Sequence, residues 1–236
     1  MEYFYAPPPA ITPPTLTIDG EEFSHLTHVM RLREGDALRV VDGEGHAYDA
    51  VLETIGRREA RCRISAAHDR LHEPSLDLTL AAGMLKNPSR FDYLVEKSVE
   101  LGVSRIIPLL TERTIPRQGK TERWQKLCVA AMKQSGRCVL PRVERPHLFG
   151  DFLTACSAAL KLIPHQEAAR PFDAALIGDS GGVALCIGPE GGFSNAEIDA
   201  ARGAGFRPVS LGTRRLRAET AAVAACALVM AREPGR

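Results

Sequence analysis

The hydrophobic pattern changes period near residue 74, and that change limits the architecture more than any other feature of the chain. Before it, short runs alternate apolar and polar residues: Ala37–Val41, His46–Thr54 and Arg61–Ala66, with aromatic Tyr3–Tyr5 ahead of them. Gly-Asp, Asp-Gly-Glu-Gly and Gly-Arg-Arg turns separate these runs. Strands of this length and spacing predict a small β-barrel. One helix is predicted within Glu21–Arg31. The polar stretch His68–Pro74 ends in proline and is the expected linker, dividing the chain into residues 1–73 and 74–236.

After the change, strands and helices alternate. Leu76–Ala82, Arg105–Leu110, Leu160–Pro164, Val183–Ile187 and Pro208–Leu211 read as short apolar strands. Helices are predicted at about Ser89–Leu101, Thr121–Ser135, Ser194–Ala204 and Thr220–Arg232. The alternation predicts an α/β domain with a parallel sheet covered on both faces. In the second helix, Trp124, Leu127, Ala130 and Ala131 share one face. Ser194-x-x-Glu197 is a capping box. The last helix is nearly all apolar, so it belongs in the core or at a subunit contact.

A chain of 236 residues can bury such cores without a metal or a disulfide. Cys62, Cys128, Cys138, Cys156, Cys186 and Cys226 are scattered singly, without C-x-x-C or zinc spacing. They read as reduced, small apolar residues. His25-x-x-His28 has no third ligand nearby, so no metal is expected. No apolar run reaches the ~18 residues of a membrane span. The start MEYFYAPPPA lacks the basic-then-apolar order of a secretory signal, so the expected location is the cytoplasm.

The net charge of +1 conceals two unlike parts. Residues 1–73 carry 8 basic and 13 acidic side chains, and the remainder carries 22 basic and 16 acidic. Between Arg113 and Arg145, nine basic residues stand against Glu122 and Glu144. Such a concentration suits a phosphate backbone, or simply a solvated helix face.

The sharpest local signal is Ile187-Gly188-Pro189-Glu190-Gly191-Gly192-Phe193-Ser194, which follows an apolar strand and opens a capped helix. Its glycines allow a ligand to approach the backbone closely. A tight turn without a ligand is the plainer alternative. Leu211-Gly212-Thr213-Arg214-Arg215-Leu216-Arg217-Ala218-Glu219-Thr220 lies between another strand and helix, with Glu219 and Thr220 at N-cap positions. Ile163-Pro164-His165-Gln166-Glu167 ends a third strand. In an open parallel sheet, ligands sit beyond the carboxyl ends of the strands. No G-x-x-x-x-G-K-[ST], early G-x-G-x-x-G or G-x-S-x-G is present. Their absence argues against a P-loop NTPase, an ordinary Rossmann enzyme and an α/β-hydrolase.

Taken in order, a set of segments resembles the RsmE family of ribosomal RNA uridine-N3 methyltransferases, of the SPOUT superfamily. The segments are His25-Leu26, Val29–Asp36, Lys97–Val103, Ile107-Pro108, Thr111–Arg113, Glu122–Trp124, Gln134–Arg137 with Pro141, Ile187–Ser194, Leu211-Gly212 and Leu216–Ala221. The chain departs from the family pattern at Glu2-Tyr3-Phe4, Met30 and Arg215. The resemblance implies a PUA-like N-terminal barrel for RNA binding, a methyltransferase domain with a C-terminal trefoil knot, and a homodimer. It implies S-adenosylmethionine as cofactor, 16S ribosomal RNA or the small subunit as partner, and no membrane or metal. The cofactor residues it implies are Ile163, Pro164, His165, Glu167, Ile187, Gly188, Pro189, Glu190, Gly191, Gly192, Leu211, Gly212, Leu216, Arg217 and Thr220. A methylated N3 must lose its proton and must leave its base pair. Arg217 is expected to stabilise the developing imidate or to hold the target phosphate, and Glu219 is the expected proton acceptor, with Glu190 behind it. Arg31, Arg33, Lys86, Arg90, Lys97, Arg113, Arg123, Lys133 and Arg137 are the expected RNA contacts. Two other functions fit the same residues: a knotted methyltransferase for a ribose 2′-oxygen or another base, and a non-catalytic ribosome-assembly protein.

Overall fold

In the computed structural model, which describes residues 2–173, 177 and 181–232, the chain divides into two units. The first unit is Met1–Glu73 together with Val129–Leu140, and the second is Pro74–Cys128 together with Pro141–Arg236. The segment Val129–Leu140 therefore groups with the N-terminal residues, although the expected boundary left it in the second domain. Among the described residues, no helix is long and apolar enough to cross a membrane.

In the first unit, the strands are Tyr3–Tyr5 (β1), Ile11–Thr12 (β2), Thr15–Asp19 (β3), Ala37–Val41 (β4), His46–Ile55 (β5) and Glu59–Asp69 (β6). They form one six-stranded sheet in the order β1-β4-β5-β6-β3-β2. Only β1–β4 is parallel; the other pairs are antiparallel. Along β3, Leu16 and Ile18 are buried, and along β6 Ala60 and Cys62 are, with polar residues between them. This period of two places one face on a core that also holds Phe4, Leu26, Leu38 and Leu52.

The predicted helix at Glu21–Arg31 is broken into two forms. Gly20–Ser24 (α1) is α-helical and His25–Val29 is a π turn. The Met30 N–H bonds the His25 carbonyl at 2.9 Å, and the Leu32 N–H bonds the Leu26 carbonyl at 3.1 Å. Arg31 between them takes φ 56°. The closing bond around left-handed Arg31 spans one residue more than the usual glycine-centred helix stop, in keeping with the wider π turn that precedes it.

A buried ion pair ties Val129–Leu140 to the end of the N-terminal segment. The Arg137 Nη2 donates to Glu73 Oε2 at 2.7 Å, and the backbone N–H groups of Cys138 and Val139 both donate to Glu73 Oε1 at 2.8 Å. The side chains are 4% and 1% exposed. Lys133 pairs with Glu22, whose other oxygen accepts from the Tyr5 N–H at 3.1 Å. His72 Nδ1 lies 3.0 Å from the Gly136 carbonyl.

The second unit contains Asp77–Gly83 (β7), Pro88–Glu100 (α2), Arg105–Leu110 (β8) and the first part of Thr121–Ser135 (α3). It continues with Arg142–Val143 (β9), His147–Leu148 (β10), Phe149–Ala155 (α4), Leu160–Pro164 (β11), Gly182–Ile187 (β12), Asn195–Gly203 (α5), Arg207–Val209 (β13) and Ala218–Met230 (α6). All its strands run parallel, in the order β10-β8-β7-β12-β11-β13, with β9 also on β8. Helix α6 packs on α2, β7 and β12; α4 packs on α5 and β8, and α5 on β13. Ala81, Ile107, Ile163, Ala184 and Cys186 of the strands share one core with Phe149, Phe152, Phe193, Ile198 and Phe206. In α3 the buried face is Trp124, Cys128, Ala131 and Met132, and Ala130 is exposed. A 3.6-residue period, rather than the spacing first counted, brings 124, 128, 131 and 132 together.

Burial raises the thiols of Cys62 and Cys226 to about 12 and that of Cys138 to about 11, and Cys186 is also raised. Cys128 is buried, and Cys156 is half-exposed. One equivalent of a thiol reagent should therefore react with the native protein, at Cys156, and the other five only in denaturant. Arg137→Met leaves the Glu73 carboxylate buried without its partner. It should lower stability by about 3–5 kcal/mol in urea unfolding at neutral pH.

Candidate active site

Because β13, β11, β12 and β7 are parallel neighbours, their carboxyl ends lie on one edge. The register pairs Leu162 with Leu185 and Pro164 with Val209, so three loops leave the sheet side by side. They enclose a cleft of about 600 Å³, within the usual size range of small-molecule and cofactor sites. The first loop is held by the His165 N–H on the Val209 carbonyl at 2.9 Å. The second turns tightly, with the Gly192 N–H on the Pro189 carbonyl at 2.8 Å and Gly192 at φ 68°. The third turns at Gly212, φ 105°, whose N–H donates to Ser210 Oγ at 3.2 Å.

Most of the cofactor residues expected from sequence line this cleft: Pro164, His165 and Glu167, the run Ile187–Gly192, and Leu211, Gly212, Leu216 and Arg217. Two do not. Ile163 is fully buried in the sheet core, and Thr220 is exposed in the first turn of α6. The N-cap of α6 is Arg217, not Glu219 or Thr220, so the helix begins earlier than its apolar run suggests. Glu219 is 8% exposed and is absent from the cleft lining; its Oε1 lies 3.7 Å from Arg90 Nε. The cleft also takes Gln166, Arg214, Arg215 and Ala218, which lie within the loops expected to form it, and Phe193, Asn195 and Ala221, which were not expected as ligand contacts.

Gly83 was also missed. A Cβ there would lie 2.6 Å from both Cδ and N of Pro189, so β7 can approach the glycine loop only because this residue has no side chain. Glu190 Oε1 accepts from the Lys86 N–H at 3.0 Å, and Arg113 Nη1 donates to the Gly191 carbonyl at 2.7 Å. The capping box is present: Ser194 Oγ accepts from the Glu197 N–H, and Glu197 Oε2 from the Ser194 N–H at 2.9 Å. Glu197 also accepts from the Glu112 N–H at 2.8 Å. The glycine loop is thus fixed from β7, from the loop after β8 and from α5.

The lining is strongly basic. Arg90, Arg113, Arg214, Arg215 and Arg217 border the cleft, against Glu167 and Glu190. An apolar floor at Ile187, Leu211 and Leu216, open glycine backbone and an arginine rim together suit a heterocycle held beside a polyanion.

Comparison with known proteins agrees with that chemistry. Residues 72–230 match the RNA methyltransferase domain, and residues 18–65 match the RNA methyltransferase PUA domain. The ribosomal RNA small subunit methyltransferase E of Synechocystis is 36% identical over 231 residues, covering 95% of this chain and 75% of that protein. The chain belongs to this methyltransferase family. The methyltransferase E of Bacillus subtilis is 29% identical, covering 88% of this chain and 86% of that one. The crystal structure of the Neisseria gonorrhoeae methyltransferase E, bound to S-adenosyl methionine, superposes with TM-score 0.87 at 34% identity. That match covers 98% of this chain and 97% of the other. A Legionella pneumophila putative methyltransferase with bound SAM gives TM-score 0.87 at 32% identity, over 97% of this chain and 96% of that one.

The basic residues expected to contact RNA in this methyltransferase E family member fall into distinct settings. Arg31, Arg33 and Lys86 are exposed, and Arg90 and Arg113 line the cleft. Lys97 is held by Glu100 and Glu96, which push its ammonium up. Arg123 is raised by its hydrogen bonds to Asp92, at 2.7 Å and 3.0 Å. Lys133 is 17% exposed against Glu22. Arg137, at 3% exposure, is committed to Glu73 and has no surface to offer. Nothing in the sequence separated it from its exposed neighbours, because its partner stands 64 residues away.

Gly83→Ala should displace the glycine loop and cost about 1–3 kcal/mol in thermal or urea unfolding. Gly203→Ala is the control: nothing lies within 4 Å of its Cβ position at the exposed end of α5. It should leave stability unchanged or slightly raised.

Proposed function

We propose that this chain transfers a methyl group from S-adenosylmethionine to N3 of one uridine in the 16S ribosomal RNA of the small subunit. The observation that carries the reading is the meeting of three strand-end loops in one basic-rimmed cleft. Relatives named for small-subunit ribosomal RNA methylation, some solved with the cofactor, support it. The donor set fits the cofactor. Nothing lies within 4 Å of the Cβ position of Gly192, which leaves its backbone open to a ligand, while Gly188 and Gly191 let the loop pack on Phe193 and Arg113; Leu211 and Leu216 offer apolar walls for a planar ring.

When bound, the cofactor supplies an electrophilic methyl group on a sulfonium. The protein has to hold the flipped uracil in line with it, and orientation is the largest contribution. Arg217 caps α6, is exposed and lines the cleft, so its guanidinium can meet charge developing on a uracil oxygen. The basic residues Arg31, Arg33, Lys86, Arg113 and Arg123 serve the RNA backbone in this reading. The N-terminal unit acts as the RNA-binding PUA domain, the C-terminal stretch is threaded as a trefoil knot, and the protein works as a cytoplasmic homodimer. The knot is supported by the full-length match to the cofactor-bound relatives. The dimer is supported by half-exposed Tyr93 and Leu228 on α2 and the apolar α6.

The test is to incubate purified protein with labelled cofactor and small-subunit RNA or particles, digest the RNA and identify the nucleoside by mass. N3-methyluridine is the expected product, and Arg217→Ala should slow its formation roughly 100-fold. A 2′-O-methyl or other methylated base would instead establish the rival knotted enzyme. Absence of cofactor binding would establish a non-catalytic RNA-binding protein.

A further inference from the structure

Glu219 is the group in this unit whose setting the reaction does not yet explain. It stands in the first turn of α6, next to the cleft-lining Arg217 and Ala218, yet its own side chain does not line the cleft. Its Oε1 faces Arg90 Nε at 3.7 Å. Its Oε2 is buried and has no hydrogen-bond partner among the described residues. Arg90 comes from the other side: it sits on the first turn of α2, whose Pro88 start is capped by Asn87, and its side chain is 36% exposed and lines the cleft. A base must reach the proton that it removes. The contact that Glu219 makes is with a cation that itself faces the substrate space. The 3.7 Å approach is an ion pair without a direct hydrogen bond, and because the carboxylate is buried, loss of the guanidinium would leave its charge without a counter-ion. The N-terminus of α6 suits a carboxylate at this position.

We infer that Glu219 is a positioning residue, which fixes the Arg90 guanidinium in the cleft to bind an anionic oxygen of the target nucleotide. The inference rests on the methyltransferase reading above. It assigns to Arg90 a direct substrate contact and removes from Glu219 the role of proton acceptor. The anionic oxygen is either a phosphate oxygen beside the target or the uracil oxygen that gains charge as N3 is methylated.

The test is a double-mutant cycle on RNA methylation with Glu219→Gln, Arg90→Ala and the pair, each with its cofactor affinity measured. Each single variant should lose roughly 10- to 100-fold in kcat/KM for RNA. The pair should be no worse than Arg90→Ala alone, and cofactor affinity should stay within a few-fold of wild type. The pH–rate profile of Glu219→Gln should keep the wild-type shape. Loss confined to KM assigns the phosphate, and loss confined to kcat assigns the uracil oxygen. Additive effects, or an acid limb that vanishes in Glu219→Gln, overturn the inference. If Glu219→Gln does not fold, Arg90→Ala carries the test, and unchanged kcat/KM there overturns it. A wild-type protein that binds no cofactor and methylates nothing defeats the underlying methyltransferase reading instead, so the two failures are distinct.

Discussion

Parallel pairing in the second unit governs everything that follows from it. Hydrogen bonds between β13, β11, β12 and β7 force their carboxyl ends onto a common edge. Segments that are far apart in sequence then become neighbours: the loops after residues 164, 187 and 209 converge although more than forty residues separate the first from the last. Each loop alone is a polar turn. Together they make a walled cleft, because the sheet sets their spacing and the glycine loop is clamped from outside by Gly83, Lys86 and Arg113.

Much of this was legible in the residues. The switch in period near residue 74 separates a mostly antiparallel sheet from a parallel one, and the Ser194–Glu197 pair marked a helix start that the structure contains. The three loops could be named because glycine, proline and clustered charge interrupt apolar strands. Local chemistry failed where the deciding partner was remote. The helix at Glu21–Arg31 changes form at His25 and ends at left-handed Arg31, and neither composition nor period carries that signal. The start of α6 at Ala218 was hidden by Thr220, a better cap by type than the Arg217 that serves.

The basic residues show the same limit more sharply. A run of like charges between Arg113 and Arg145 reads as one surface, yet its members divide by what they face. Arg113 reaches the glycine loop, Arg123 holds Asp92, Lys133 holds Glu22, and Arg137 is sealed inside with Glu73. Exposure, not charge count, decides which of them remain for a polyanion. By the same standard, Arg90, which sits outside that run, faces the cleft more directly than most of its members.

The clasp around Glu73 also bears on what the N-terminal unit can be apart from the rest. That carboxylate takes its guanidinium and two amide donors from residues 137–139, so the unit is discontinuous in the gene although continuous in space. A fragment cut after the linker would retain the whole sheet but lose the guanidinium and both amide donors that Glu73 uses. A unit made of two separated stretches of chain has to be excised along its three-dimensional boundary, residues 129–140 included.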